Sequence, residues 1–176
     1  SLRDIATKSG QSLAESFMSC DCIILIDVSG SMSSEDNCGI SRYRRACEAL
    51  RNLQLTMQGK IAVVAFSHDV KFEPAGIPFF TSGGTDLAKA LIFVQIADQI
   101  PGMRFIVISD GQPDNDLAAL KIAKRFKNKI DVIFVGDECD SRAITFMNEL
   151  ARASGGKQVT ADSALISENV RYLLHN

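Results

Sequence analysis

The 176-residue sequence contains no apolar run approaching the length of a membrane span, which takes about 20 residues. Its first twenty residues lack a basic start followed by an apolar block, so no export signal is read there. A basic stripe is also missing. Arg42, Arg44 and Arg45 form the densest cluster, but acids flank them, a helical pattern accounts for them, and the formal net charge is −2. Neither nucleic acid nor a membrane is therefore an expected partner. There are no repeated Cys-x-x-Cys pairs or Cys/His clusters, which argues against a zinc site. No GxxxxGK phosphate loop, GxGxxG dinucleotide turn, nucleophile elbow or Ser/His/Asp set occurs, and neither His68 nor His175 has an evident partner. Internal repeats and low-complexity linkers are absent as well.

The cysteine count is five (Cys20, Cys22, Cys38, Cys47 and Cys139), an odd number that fits poorly with a fully paired disulfide framework. The expectation is free thiols in a reducing, cytoplasmic setting. Hydrophobic residues make up 46% of the chain, ample for a core buried on both faces of a sheet. Charged residues make up 23%, so disorder is not expected. The length suits a single domain over residues 20–176, preceded by an extension over 1–19 whose 13–17 stretch suits a short packing helix.

Short apolar runs alternate with longer helical patterns. Residues 22–28 (CIILIDV), 61–66 (IAVVAF), 103–109 (MRFIVIS) and 130–135 read as buried strands, and 157–160 as a weak one. Val70 and Phe72 alternate with polar neighbours, as in a half-exposed edge strand. Helical spacing covers 40–57 and 86–98. It also places Ala119, Ile122, Ala123 and Phe126 on one face, marks a helix at Ala143, Phe146, Met147 and Leu150, and closes the chain over 165–174. Continuous apolar strands, each followed by a helix, indicate an α/β fold with a mostly parallel sheet covered on both faces. Right-handed crossovers then place every turn after a parallel strand on one edge.

The turns carry the informative coincidence. Asp27 and Asp110 each end an apolar strand and so project from the carboxyl edge, where open α/β sheets place ligands. After Asp27 the chain reads DVSGSM, so Ser29 and Ser31 can converge on the carboxylate, with Gly30 easing the bend. Thr85 adds a third hydroxyl, reached through Gly83 and Gly84. Two carboxylates and three hydroxyls make an all-oxygen set suited to a hard cation. Mg2+ matches the ligand count, with Mn2+ or Ca2+ as alternatives, although Ca2+ prefers six to eight oxygens. So few negative ligands leave the ion able to attract an acidic group from outside.

Asp-x-Ser-x-Ser, a later Thr after glycines, and Asp-Gly at a further strand end resemble the metal ion-dependent adhesion site of the von Willebrand factor A family. Asp27, Ser29, Ser31, Thr85 and Asp110 occupy all five positions of that motif. The resemblance spans most of the chain. It implies a three-layer, six-stranded, Rossmann-like sheet with one short antiparallel edge strand at 70–73. It also implies that a Glu or Asp of a partner protein completes the metal's coordination. Similar compact domains work beside AAA-type ATPases, which makes such a subunit an expected kind of partner.

Alternatives stand beside this reading. A metal-dependent phosphotransferase or hydrolase on a similar sheet is one; haloacid-dehalogenase-type phosphatases place a second Asp two residues after the strand-end nucleophile, where this sequence has Ser29. A scaffold with a purely structural ion is the other. Ser/Gly/Asp turns follow strands merely because they turn well, and Thr85 suits a helix N-cap. Asp86, Asp114 and Asp116 read as solvated or helix-start acids, Glu35 and Asp36 as facing water, and His68 as a surface residue. Phe79 and Phe80 fit either core or an exposed rim.

Overall fold

A computed structural model of the chain describes residues 13–161 and 165–175; residues 1–12, most of the expected extension, lie outside it. Helix α1 (Leu13–Met18) leads into strand β1 (Cys22–Asp27), and a 3-10 turn (Gly30–Ser33) connects to α2 (Arg42–Thr56). Strands β2 (Ile61–Phe66) and β3 (Val70–Glu73) precede α3 (Leu87–Val94), which runs on as a 3-10 segment (Gln95–Gln99). Then come β4 (Arg104–Ser109), α4 (Asp116–Ala123), β5 (Ile130–Phe134), α5 (Ser141–Ala153), β6 (Gln158–Thr160) and α6 (Ile166–His175).

The six strands form one sheet in the order β3-β2-β1-β4-β5-β6. All pairings are parallel except that of β3 with β2, so the expected antiparallel edge strand is present. β1 lies in the middle of the sheet with all six residues buried, which is why it needs no alternation of polar and apolar residues.

Alternate side chains of the strands feed two separate cores. Ile23, Leu25, Phe105 and Val107 pack with Phe17 of α1 and with residues of α3, α4 and α5. Cys22, Ile24, Ile26, Ile106 and Ile108 pack with α2 and α6 through Ala49, Leu53, Val170 and Leu173. Phe17 is an integral part of the first core, meeting the rings of Phe72 and Phe93 edge-on at 5.8 and 6.1 Å. All five cysteines are free.

Two expected helices are shorter than their apolar spacing suggests, and one residue links the segments that follow them. Asp98 is 3% exposed, and its carboxylate accepts the backbone N–H groups of Lys127 and Asn128 at 2.7 and 2.9 Å. Holding this carboxylate inward accompanies the tightening of the end of α3 into a 3-10 turn. The same bonds tie the segment between α4 and β5 to the end of the 3-10 turn. Phe126 keeps its expected core role from outside the helix, edge-on to Phe105 at 5.1 Å.

Candidate metal centre

Three loops meet at the carboxyl edge of the sheet. In the first, the Asp27 carboxylate is fully buried and held by both oxygens. Oδ1 accepts the Ser29 backbone N–H at 2.9 Å, and Oδ2 accepts the Ser109 hydroxyl of neighbouring β4 at 2.7 Å. A carboxylate has about four lone-pair sites, so both oxygens retain capacity for a further partner. The Ser29 and Ser31 hydroxyl oxygens stand 3.3 Å apart. Gly30 between them is outside the left-handed region, so the bend does not depend on it for that conformation. Burial pushes the Asp27 carboxyl up to about 6; hydrogen bonds from Ser29 and Ser109 oppose the rise, and the negative charge of Asp110 adds to it.

The second loop is sewn to the first. The N–H groups of Thr81 and Ser82 donate to the Val28 carbonyl at 3.3 and 3.1 Å, and the Gly30 N–H donates to the Gly83 carbonyl at 3.0 Å. Thr85, 4% exposed, follows directly. It is not the helix N-cap. Asp86 takes that role by accepting the Lys89 N–H at 2.9 Å, which leaves the Thr85 hydroxyl without the capping task.

The third loop braces the second. Asp114 accepts the Thr85 N–H at 3.0 Å and returns its own N–H to the Thr85 carbonyl at 2.9 Å. Gly84 makes room for this contact, since a Cβ there would stand 2.7 Å from Asp114 Oδ2. Asp110 opens the same loop with its carboxylate fully buried. Its Oδ1 accepts the Gln112 N–H at 3.3 Å, and its Oδ2 faces the Arg42 guanidinium at 3.0 Å. A cavity of about 480 Å³ opens on the Arg42 side, bordered by Asp36, Cys38, Arg45, Asp137 and Cys139.

Asp27 is thus bonded to Ser29 and Ser29 to Ser31, Asp110 is close enough to perturb Asp27, and Thr85 lies two residues after the Gly83 that binds Gly30, with its backbone held by Asp114. Among the described residues no three His, Cys, Asp or Glu side chains cluster to hold a metal by those ligands alone. The donors here are of another kind. Two buried carboxylates and three hydroxyls offer only oxygen, a set that fits a hard cation and offers nothing to a soft one.

Three contributors escaped the sequence reading. Ser109 and Asp114 hold ligand candidates in place, and Arg42 supplies a counter-charge; each acts across the fold, leaving no local motif. Asp36, expected to face water, pairs with Arg45 at 2.7 Å, and that hydrogen bond above all holds its carboxyl below the usual range. Asp116 sits in the first turn of α4, as expected of a helix-start acid, while Asn115 caps that helix. His68 is at the surface, and Phe79 and Phe80 are exposed, 62% and 42% respectively.

No family model and no curated protein sequence matches the chain. Solved structures do. An aerotolerance-related membrane protein from Bacteroides fragilis superposes with a TM-score of 0.68 at 17% identity, over 88% of this chain and 96% of that one. Manganese-loaded TRAP protein of Plasmodium vivax gives 0.65 at 17% identity, over 90% of this chain and 74% of that one. A von Willebrand factor type A structure from Catenulispora acidiphila gives 0.60 at 18% identity, over 86% of this chain and 41% of that one. At such identities the likeness speaks for architecture, and that architecture, with its sheet order and lone antiparallel edge strand, is the von Willebrand factor A fold.

Proposed function

We propose that this domain is a metal-dependent protein–protein interaction module and not an enzyme. Asp27, Ser29, Ser31, Thr85 and Asp110 would hold Mg2+, with Mn2+ or Ca2+ as alternatives. The bound ion would supply a Lewis-acidic position for a Glu or Asp side chain of a partner protein. The observation that carries this reading is the juxtaposition of the paired Ser29 and Ser31 hydroxyls with two fully buried carboxylates. Burying two carboxylates is costly unless cations offset them, and among the described residues Arg42 pairs with Asp110 while no ion pair is recorded for Asp27. That one solved neighbour is described as manganese-loaded supports divalent-ion binding by a protein of this fold.

The residues of the chain divide the work. Asp27 and Asp110 bring charge, the hydroxyls bring neutral oxygens, and Ser109, Asp114 and the Gly30–Gly83 contact hold the loops in register. The two carboxylates would balance a divalent ion's charge, and five oxygens would leave one of its six positions open to an outside carboxylate. A subunit such as an AAA-type ATPase is the kind of partner proposed, in a reducing, cytoplasmic setting that suits two exposed thiols, Cys38 and Cys139. No helix among the described residues is long and apolar enough to cross a membrane.

A phosphotransferase using Asp27 as nucleophile would want an acid two residues on, but there Ser29 is fully buried and its N–H already restrains Asp27. Calorimetric titration with Mg2+ and Mn2+, comparing wild type with Asp27→Ala, tests ion binding. Capture of protein partners with Mg2+ or with EDTA tests the rest. Capture that survives both chelation and Thr85→Ala would sink metal-mediated binding, and Mg2+-dependent phosphoester turnover lost in Asp27→Ala would restore the enzyme.

A further inference from the structure

Arg42 is the first residue of α2, and its side chain is only 17% exposed. Its Nη1 donates to Asp110 Oδ2 at 3.0 Å, across the entrance of the third loop. This single bond gives the fully buried Asp110 its one ion-pair partner among the described residues. The neighbouring arginines do different work: Arg45 makes a forked contact with Asp36 at 2.9 and 2.7 Å, and Arg44 is exposed. The guanidinium therefore neutralises one of the two carboxylates proposed to hold the metal.

We propose that Arg42 is a built-in competitor for the cation site, so that metal entry at Asp110 exchanges one positive charge for another. This rests on the metal reading above. A divalent ion held by Asp110 would share that carboxylate with a guanidinium of like sign, in a setting too buried for solvent to screen the repulsion well. Arg42 has somewhere to go. The cavity beside it is lined by Asp36, Asp137 and Glu138, and its charge is already felt at Asp140. There the Ala143 N–H is the chief cause of a lowered carboxyl, with Arg42 as one further contributor. Metal affinity is accordingly set by how tightly Arg42 is held as well as by the five oxygen ligands. The pair also explains how the metal-free protein tolerates a buried Asp110, since a resident cation stands in for the ion.

Mn2+ binding, read from the free-ion signal in electron paramagnetic resonance, tests this with wild type, Arg42→Gln and Arg42→Lys. Arg42→Gln is expected to bind about tenfold tighter than wild type or better, within the usual range for coupling between two binding events. It is also expected to melt at a lower temperature in EDTA, with the gap closing at saturating metal. Arg42→Lys keeps the charge and is expected to stay within a few-fold of wild type. Should the neutral variant not fold without metal, nitrogen-15 spectra of the wild-type guanidinium during Mg2+ titration decide the matter instead: the Arg42 signals should shift as the ion binds. Arg42→Gln binding no tighter than wild type, an equal gain in Arg42→Lys, or guanidinium signals unmoved at saturating Mg2+ overturns the competition. In those cases wild-type binding leaves the metal reading standing. Absence of binding by every form overturns both.

Discussion

Ser109 donates its hydroxyl to Asp27 Oδ2 at 2.7 Å, joining the carboxyl ends of two adjacent parallel strands beneath the candidate metal centre. The Ser109 hydroxyl oxygen also accepts the Gly111 N–H at 3.2 Å, so one side chain steadies the first and third loops together. Ser109→Ala removes a donor to a buried carboxylate and leaves an N–H unpaired. A loss of about 1.5–3 kcal/mol is expected for a hydrogen bond to a charged group. Urea unfolding in EDTA measures it, and a variant as stable as wild type would contradict this role.

Asp27 makes the metal-free domain sensitive to pH. Its carboxyl sits near 6 in the folded chain against an ordinary 3.8, burial being the main cause. Between those values the native state keeps a proton that the unfolded chain has lost. Stability of the metal-free protein should therefore fall as pH rises from about 4 to about 6 and then level off. Ion binding needs the ionised form and should strengthen from about pH 5 to about pH 7. Melting temperatures in EDTA and Mn2+ titrations across this window check both slopes; the first idea fails if metal-free stability climbs instead.

Thr85 and Asp86 are neighbours with separable tasks. Asp86→Ala removes the cap of α3 and should cost about 1 kcal/mol, with a small effect on metal affinity. Thr85→Ala should instead weaken Mg2+ binding strongly, at a stability cost in EDTA of about 1 kcal/mol for the lost buried methyl. Chemical unfolding and calorimetry on the same two variants decide it, and matching profiles for the pair would refute the division.

Asp114 holds Thr85 by its backbone, with bonds running both ways. Asp114→Ala strands the Thr85 N–H in a partly buried position, for an expected loss of about 1–3 kcal/mol. Metal affinity should drop with it. Asp114→Asn keeps an acceptor and should recover most of both. Gly84→Ala attacks the contact from the other side, because its Cβ would stand 2.7 Å from Asp114 Oδ2. If Gly84→Ala binds metal as well as wild type, the brace is not needed.

Much of the architecture is legible in the chain because strand burial and helix spacing are local and periodic. CIILID is an uninterrupted apolar run ending in Asp27, and a central parallel strand calls for such a run. Helix ends are less legible. Residues 86–98 keep helical spacing throughout, yet the end of that stretch is tightened where Asp98 binds the N–H groups of Lys127 and Asn128. The acceptor and its donors lie 29 and 30 residues apart, so no window on the sequence contains both.

The five candidate ligands were readable for the same local reason: strand-end aspartates, short hydroxyl spacings and glycine turns are written in consecutive residues. By itself the sequence determined the strands, the carboxyl edge and the candidate oxygens proposed to act there. Only the tertiary structure decided what surrounds them. Arg42 looked like one member of a helical basic cluster, and it reaches Asp110, 68 residues away, because packing of α2 against β1 and β4 sets the start of that helix over the site. Charge pairing across a sheet edge depends on where packed elements bring flexible side chains, and periodicity along one chain carries no record of that meeting.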